Sequence, residues 1–210
     1  FIDVELETLN FDLEKIEQCL SERTRAIFLS PVLGNAPDMD RLLDLCKRYD
    51  ILLLLDNCDS LGSRWRGRYL NEYATISSCS FYPAHHICTG EGGMVSSKIE
   101  DIITIARSLA WWGRDCYCVG ANNLLSCGTC GKRFDRWLDE YDGVLDHRYV
   151  FTNVGYNLKP LDLQGAVGQV QLKKIDEIER LRRASKSRME SSIKRHLPEV
   201  HVPTELPHAE

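Results

Sequence analysis

Apolar runs of strand length alternate with amphipathic stretches along the first half of the chain. Residues 12–20 place apolar side chains at helical spacing, and residues 26–29 form a short apolar run typical of a buried strand. A helix is predicted from about Pro37 to Tyr49, because proline and acidic residues fill its first turn. The five apolar residues at 51–55 predict a strand covered on both faces. The side chains expected to be buried by the helix are Leu42, Leu43, Leu45 and Cys46.

The same alternation continues beyond these elements. Residues 74–81 and 93–96 predict two strands, and residues 101–109 predict a helix. Residues 115–146 contain few apolar runs and predict a loop-rich insertion. One long helix is predicted over residues 161–196. Strands that alternate with helices in this way predict an α/β fold with a largely parallel sheet.

The ends of the chain suggest a piece of a longer protein. It begins at Phe1 without methionine and stops at Glu210 without a clear terminating element. We therefore expect residues 1–155 to be part of a large α/β domain that includes the insertion near 115–146. Residues 156–210 are expected to hold the long helix and the start of a truncated, smaller carboxyl-terminal domain.

Charge and hydropathy restrict the classes of partner. The formal net charge is −5, with 27% charged and 43% hydrophobic residues, which is an ordinary globular balance. The basic stretch at 180–195 alternates with acidic and apolar residues, which favours a solvated helix face over a nucleic-acid site. No signal peptide begins the sequence, and no run approaches the ~18 apolar residues of a membrane span. The sequence predicts a cytoplasmic protein that binds neither nucleic acid nor membrane.

Cysteine content is high for such a protein. There are nine cysteines, an odd number that excludes a complete disulfide framework. Cys116, Cys118, Cys127 and Cys130 cluster, and Cys58 lies far upstream. In a cytosolic chain, closely spaced cysteines are more often metal ligands or catalytic groups than disulfides. The remaining cysteines are expected to be small buried hydrophobes: Cys19, Cys46, Cys79 and Cys88.

Polar residues follow two of the predicted strands. In open α/β sheets, ligands bind beside the carboxyl ends of the strands. Asp56 directly follows the second apolar run, where its carboxylate would either form an Asx turn or bind a positively charged partner. Ser80 closes the next strand, and its hydroxyl suits a phosphate group. Gly90, Gly92 and Gly93 would permit a tight backbone turn beneath a ligand.

The stretch at 80–86 reads SFYPAHH and is followed at 89–93 by TGEGG. It resembles the cofactor segment of the DegT/DnrJ/EryC sugar aminotransferase-like superfamily, which uses pyridoxal 5′-phosphate (PLP) on a type I transferase fold. That family has the pattern Ser-Phe-x-x-x-Lys, and its lysine forms a Schiff base with PLP. Here His85 takes the place of the lysine. An imidazole can move a proton but cannot attach PLP covalently, so the resemblance implies a base without a covalent anchor.

The resemblance becomes narrower at the cysteines. The cysteines resemble those of the iron–sulfur 3-dehydrases of this superfamily, whose ligand pattern is Cys-x57-Cys-x-Cys-x7-Cys. Two further stretches carry the same resemblance, LDNCDSLGSRWRGRY and GYNLKPLDLQGAVGQVQLKKI. Cys58, Cys116 and Cys118 match that spacing. A serine occupies the expected fourth position. Cys130 precedes Gly-Lys-Arg-Phe, as the last family cysteine does, and is the favoured fourth ligand over Cys127. A zinc site with four thiolate ligands, or free thiols, are the alternatives.

The resemblance implies C3 dehydration and deoxygenation of a CDP-4-keto-6-deoxyhexose in the biosynthesis of 3,6-dideoxyhexoses for lipopolysaccharide. Pyridoxamine 5′-phosphate (PMP) and a [2Fe–2S] cluster in the insertion loop would be the cofactors, His85 the base, and an NADH-dependent flavin iron–sulfur reductase the partner. A cluster-free PMP dehydratase and a non-catalytic zinc-binding member are the alternatives. A homodimer is expected because Asn157 matches a residue that reaches a phosphate across the subunit interface. The residues implied to bind the cofactor are Asp56, Asp59, Ser80, Tyr82 and Asn157.

Overall fold

The computed structural model of the protein describes residues 1–115, 134 and 143–210. It divides into two compact units. The first contains residues Phe1–Lys98 and Leu161–Glu210, and the second contains residues Ile99–Pro160. The first unit holds the sheet, and most of the sequence-predicted site residues fall within it.

The elements of the first unit alternate between helix and strand up to its second strand, four further strands follow with no α-helix between them, and two helices come last. The second unit contains one α-helix, α3 (Glu100–Ala110), and a 3-10 turn at His147–Tyr149 among its described residues. The elements of the first unit are α1 (Leu13–Cys19), β1 (Ala26–Leu29), α2 (Met39–Tyr49), β2 (Leu52–Asp56), β3 (Arg64–Trp65), β4 (Arg68–Tyr69), β5 (Ile76–Ser80), β6 (Gly93–Ser96), α4 (Asp162–Leu172) and α5 (Ile175–His196).

The main sheet has four strands in the order β1-β2-β5-β6. Strands β1, β2 and β5 are parallel neighbours, whereas β6 returns antiparallel to β5. In this register Asp56 lies beside Ser78, and Ser80 lies beside Gly93. The predicted α/β fold with a largely parallel sheet is confirmed. The carboxyl ends of β2 and β5 meet at the same edge of the sheet, which is where a ligand would bind.

One face of the sheet forms the core. Leu53 and Leu55 of β2 are buried there, together with Met39 and Leu42 of α2. Helix α2 begins where the Asp38 side chain accepts a hydrogen bond from the Arg41 N–H, and this cap satisfies a donor that the helix itself leaves unpaired. Burial of its apolar stripe against β2 stabilises the layer on which the site is built.

The second face of the sheet differs from the prediction. The side chains of Leu52 and Phe28 remain 46% and 70% exposed, so the expectation of a strand covered on both faces was wrong. Successive side chains of a strand point to opposite faces, and only the face that carries Leu53 packs against α2. Leu43 was also predicted to be buried but is 36% exposed, because it lies outside the stripe of α2 that faces the sheet.

The single helix predicted over residues 161–196 is two helices in the structure. Helix α4 ends at Leu172 and α5 begins at Ile175. Lys174 leaves the helical region with ψ near 2°, and its N–H bonds to the carbonyl of Gln171 in a tighter turn. No helix in the described part of the chain combines the length and apolar character needed to cross a membrane.

Candidate active site at the carboxyl edge of the sheet

Asp56 is the last residue of β2 and is held from two directions. Its Oδ1 atom accepts a hydrogen bond from the backbone N–H of Cys58 at 3.1 Å and another from the hydroxyl of Ser78 at 3.2 Å. The first bond is the Asx turn that the sequence allowed as an alternative. The second joins β2 to β5. A carboxylate fixed in this way at a strand end suits a cationic ring nitrogen.

Ser80 ends β5 and begins the turn that contains His85. Its Oγ atom accepts a hydrogen bond from the Tyr82 N–H at 3.1 Å. Opposite Ser80, a Cβ atom on Gly93 would lie 2.8 Å from the carbonyl oxygen of Cys79, closer than side chains pack in proteins. Glycine is therefore required at position 93 for β6 to approach β5 beside the site.

The glycine-rich turn is also fastened to helix α4. The Gln164 Nε2 atom donates to the carbonyl oxygen of Glu91 at 2.7 Å, and Thr89 Oγ1 donates to the same oxygen at 2.7 Å. Gly168 of α4 packs against Thr89, where an added Cβ would lie 3.2 Å from the threonine methyl. These contacts join the glycine-rich turn to α4 at Thr89 and Glu91.

His85 pairs with Asp59, three residues beyond Asp56. The imidazole Nδ1 lies 3.1 Å from Asp59 Oδ1, and the His85 side chain is only 20% exposed. An ionised carboxylate can only accept a hydrogen bond, so in the neutral imidazole the proton lies on Nδ1 and the lone pair on Nε2. The Tyr82 ring lies edge-on to the imidazole, with 6.4 Å between ring centres. In that tautomer, the Nε2 atom is left with a free lone pair that can accept a proton.

His86 has a different environment from its neighbour. Burial, followed by the positive charge of Arg182, lowers the pKa of the His86 imidazole, so this ring is neutral near pH 7. Its buried Nδ1 has no hydrogen-bond partner among the described residues. It lines a cavity of about 660 Å³ that Asp59, Ala84 and Arg182 also line.

Cys58 is the one predicted metal ligand within the described residues. It is half-buried, and burial together with a hydrogen bond to the Asp56 carboxylate raises the pKa of its thiol to about 11. Cys116, Cys118, Cys130 and the alternative ligand Cys127 lie outside the described residues. Within the described ranges, no group of three or more His, Cys, Asp or Glu side chains is arranged to hold a metal.

The other cysteines follow the prediction in part. Cys46 and Cys79 are buried, and burial raises the pKa of the Cys79 thiol to about 11. Cys19 is exposed and Cys88 is half-buried, so the expectation that both are buried was wrong. Cys19 is the last residue of α1, beyond Ile16, which is the buried residue of that helix.

Asn157 lies in the second unit, within an exposed segment. Its backbone forms an isolated antiparallel bridge with Trp111, and its side chain is exposed. It precedes α4, which begins at Asp162, by several residues rather than standing at its start. The functional role implied for Asn157 by the resemblance stays a prediction.

The family model of the DegT/DnrJ/EryC1/StrS aminotransferases matches residues 1–209. The chain belongs to this family. Its fold is accordingly that of the PLP-dependent aminotransferases, and the mainly parallel sheet agrees with this.

Curated relatives of this aminotransferase-family chain include sugar-nucleotide dehydratases. The dTDP-4-dehydro-2,6-dideoxy-D-glucose 3-dehydratase of Saccharopolyspora spinosa is 41% identical over 100% of this chain and 44% of the relative. The lipopolysaccharide biosynthesis protein RfbH of Salmonella typhimurium is 38% identical over 92% of this chain and 43% of the relative. The chain thus spans less than half the length of these relatives.

Solved structures of sugar-nucleotide dehydratases are also similar to this chain. A GDP-4-keto-6-deoxymannose-3-dehydratase with bound GDP-perosamine has a TM-score of 0.79 and 26% identity, over 100% of this chain and 51% of that one. The Escherichia coli GDP-4-keto-6-deoxy-D-mannose-3-dehydratase with bound hydrated PLP also has a TM-score of 0.79, with 27% identity over 100% and 50% of the two chains.

The side chains at this edge of the sheet fit a PLP-type cofactor. A hydrogen-bonded carboxylate, a strand-end hydroxyl and an imidazole lie on two neighbouring parallel strands and their loops. The absence of a side chain at Gly93 is enforced by close contact with the backbone of β5. Sequence reasoning missed Ser78, although strand alternation places it on the same face as Ser80 and could have revealed it.

Proposed function

We propose that the full-length protein is a PMP-dependent sugar-nucleotide 3-dehydratase. The observation that supports this most strongly is the His85–Asp59 pair, with 3.1 Å between Nδ1 and Oδ1, at the position where the family pattern has lysine. A histidine there removes covalent attachment of the cofactor and supplies a base, which favours proton abstraction over ordinary transamination. Relatives named as 3-dehydratases support the same reaction class.

Each side chain of the site has a distinct part in this proposal. Asp56 would bind the ring nitrogen of the cofactor, Ser80 would bind its phosphate, and Tyr82 would line the site beside the base. When bound, the cofactor supplies an amine that condenses with the 4-keto group and an aromatic ring that accepts electrons. Asn157 of a second subunit would complete the phosphate site, so the active form would be a homodimer.

His85 would carry the proton. With its Nδ1–H donated to Asp59, the Nε2 lone pair of His85 would take up the proton from C4′ of the bound cofactor, and the electron pair of the broken C–H bond would expel the C3 hydroxyl of the sugar. The carboxylate of Asp59 stabilises the imidazolium that forms. The same imidazolium would return a proton later in the reaction. General bases of this kind contribute about 10²–10⁴-fold to a rate.

We further propose a [2Fe–2S] cluster held by Cys58, Cys116, Cys118 and Cys130. The cysteine spacing supports it, as does the position of Cys58 two residues from Asp56. Such a cluster would supply single electrons from an NADH-dependent flavin iron–sulfur reductase, completing deoxygenation at C3. The thiol of Cys58 has a raised pKa of about 11, so iron binding must displace its proton.

The substrate class proposed is a 4-keto-6-deoxyhexose bound to a pyrimidine nucleotide. The finer proposal, from the resemblance, is a CDP-6-deoxy-L-threo-D-glycero-4-hexulose-3-dehydrase of lipopolysaccharide biosynthesis in the cytoplasm. The relative from Saccharopolyspora spinosa is named for a dTDP sugar, so dTDP is the competing nucleotide. A cluster-free dehydratase is the second candidate function, because structures of GDP-4-keto-6-deoxymannose-3-dehydratase match the whole chain.

Metal content and substrate preference of the full-length protein test these proposals together. The protein is purified anaerobically, iron and zinc are measured, and CDP-, dTDP- and GDP-linked 4-keto-6-deoxyhexoses are offered with PMP. We expect about two irons per chain, loss of iron in Cys130→Ser, and retention in Cys127→Ser. Iron-free protein that dehydrates the sugar would establish the cluster-free function. Zinc without dehydration would establish the non-catalytic alternative.

A further inference from the structure

We propose that Ser78 is a positioning residue that orients the Asp56 carboxylate toward the ring nitrogen of the bound cofactor. This inference rests on the proposed function, in which Asp56 meets that nitrogen. The Ser78 hydroxyl donates to Asp56 Oδ1 at 3.2 Å from the neighbouring strand. Ser78 lies outside the Ser-Phe-x-x-x-Lys pattern, which begins at Ser80.

The Asp56 carboxylate is held both by its own loop and by the neighbouring strand β5. The Asx turn from the Cys58 N–H to Asp56 Oδ1 is local, because it connects residues two apart in the same loop. It holds the carboxylate relative to that loop only. Ser78 lies directly beside Asp56 in the parallel register of β2 and β5, on the same face of the sheet. Its hydrogen bond therefore fixes the carboxylate relative to the strand that ends in Ser80 and leads into the His85 turn.

This arrangement determines which oxygen can meet the cofactor. Both of the hydrogen bonds just described end on Oδ1, so they set the rotation of the carboxylate about its terminal bond. A terminal carboxylate torsion is broad when nothing restrains it. A carboxylate with a fixed rotation presents its other lone pairs in one direction, which matters for a charge-assisted hydrogen bond to a ring N–H.

The chain supplies its own control on the same strand. Ser77, the preceding residue, points to the opposite face of β5, where its hydroxyl hydrogen-bonds the hydroxyl of Ser96 at 2.8 Å. Both serines make one side-chain bond to a neighbouring strand. Only the bond of Ser78 ends on the carboxylate of the site. A comparison of variants at Ser77 and Ser78 therefore separates the loss of a hydrogen bond between strands from the loss of carboxylate orientation.

The test uses the full-length protein and its variants Ser78→Ala, Ser78→Thr and Ser77→Ala. The dissociation constant of PMP is measured by fluorescence titration, and the absorption of bound PMP is followed against pH. Ser78→Ala should weaken PMP binding about tenfold, the size expected for one hydrogen bond to a charged group. The midpoint of the pH titration should move to lower pH, because a less well-aligned carboxylate stabilises the protonated ring less.

The controls separate this role from a merely structural one. Ser78→Thr keeps the hydroxyl and should restore both values, whereas Ser77→Ala should lower the thermal midpoint and leave both unchanged. Wild-type values in Ser78→Ala, or equal shifts in Ser77→Ala, would overturn the role of Ser78 alone. A wild-type protein that binds no PMP would overturn the proposed function, and the Ser78 role with it.

Discussion

His85 and Asp59 are 26 residues apart in the sequence and form one hydrogen-bonded pair in the structure. The resemblance predicts His85 as the base and places Asp59 near the cofactor. The structure joins them through Nδ1 and Oδ1. The pairing could not be predicted, because the chain between them folds into strands and turns whose combined geometry no local pattern encodes. His86, one residue further on, is instead a neutral ring against the cavity near Arg182.

The lowered pKa of His86 makes a prediction about stability and pH. Because burial depresses it below the ordinary value of 6.5, the folded protein binds fewer protons there than the unfolded chain does. The free energy of unfolding should therefore be undiminished above about pH 6.5 and fall as the pH drops from there through the lowered pKa. His86→Gln should flatten this decline. Urea unfolding at several pH values between about pH 7.5 and about pH 5 measures this decline in the free energy of unfolding.

Exposed His196, at the end of α5, is the matched control. Substitution His196→Gln removes a histidine without removing a buried ring. The slope of unfolding free energy against pH should then resemble that of the unmodified protein. Equal slopes in His86→Gln and the unmodified protein would show that His86 has the same proton affinity in both states.

At the scale of elements, apolar runs predicted the strands and amphipathic periodicity predicted the helices. Strand β6 has its predicted bounds, and α2 ends at Tyr49 as predicted. The hairpin of β3 and β4 was missed, because two-residue strands carry no periodicity. Its signal was the Arg66-Gly67 pair, whose φ angles of 50° and 74° form a tight turn. The interruption at Lys174 had no proline or glycine to mark it.

A substitution at Gly93 tests how closely β6 must approach the site. Gly93→Ala would place a methyl group against the Cys79 carbonyl, so β6 must shift, at a cost of about 1–3 kcal/mol in free energy of unfolding. PMP affinity should fall as well, because Ser80 lies opposite Gly93. Gly165→Ala is the control: its Cβ would enter open space in α4, and it should be stabilising by about 0.5–1 kcal/mol. Unfolding curves in urea distinguish the two.

Retained stability and PMP affinity in Gly93→Ala would mean that β6 tolerates displacement and that the turn does not depend on this contact.

At the scale of the whole molecule, the exposed face of α4 bears on assembly. Leu163, Val167 and Val170 form an apolar stripe along this helix and are exposed. The same helix holds the glycine-rich turn through Gln164. A homodimer formed across this stripe would connect subunit assembly to the cofactor site. It would also remove from water an apolar surface that a soluble monomer rarely leaves exposed.

Val167→Asp in the full-length protein should shift sedimentation from dimer to monomer and weaken PMP binding. The added carboxylate would be buried without a partner at the interface. Gln169→Asp introduces the same residue on the opposite face of α4 and should leave the dimer intact. A dimer unaffected by Val167→Asp would place the interface elsewhere, and an active monomer would contradict the shared phosphate site at Asn157.

Exchange of the C4′ hydrogen of PMP with solvent tests the central claim most directly, which is that His85 acts as the base of a PMP-dependent dehydration. The full-length protein is incubated in heavy water with PMP and the 4-keto-6-deoxyhexose nucleotide that it accepts, and deuterium at C4′ is measured by mass spectrometry. The unmodified protein should exchange one hydrogen. His85→Asn should be slower by about 10²–10⁴-fold, with the dissociation constant of PMP nearly unchanged. Exchange by His85→Asn at the rate of the unmodified protein would contradict the assignment.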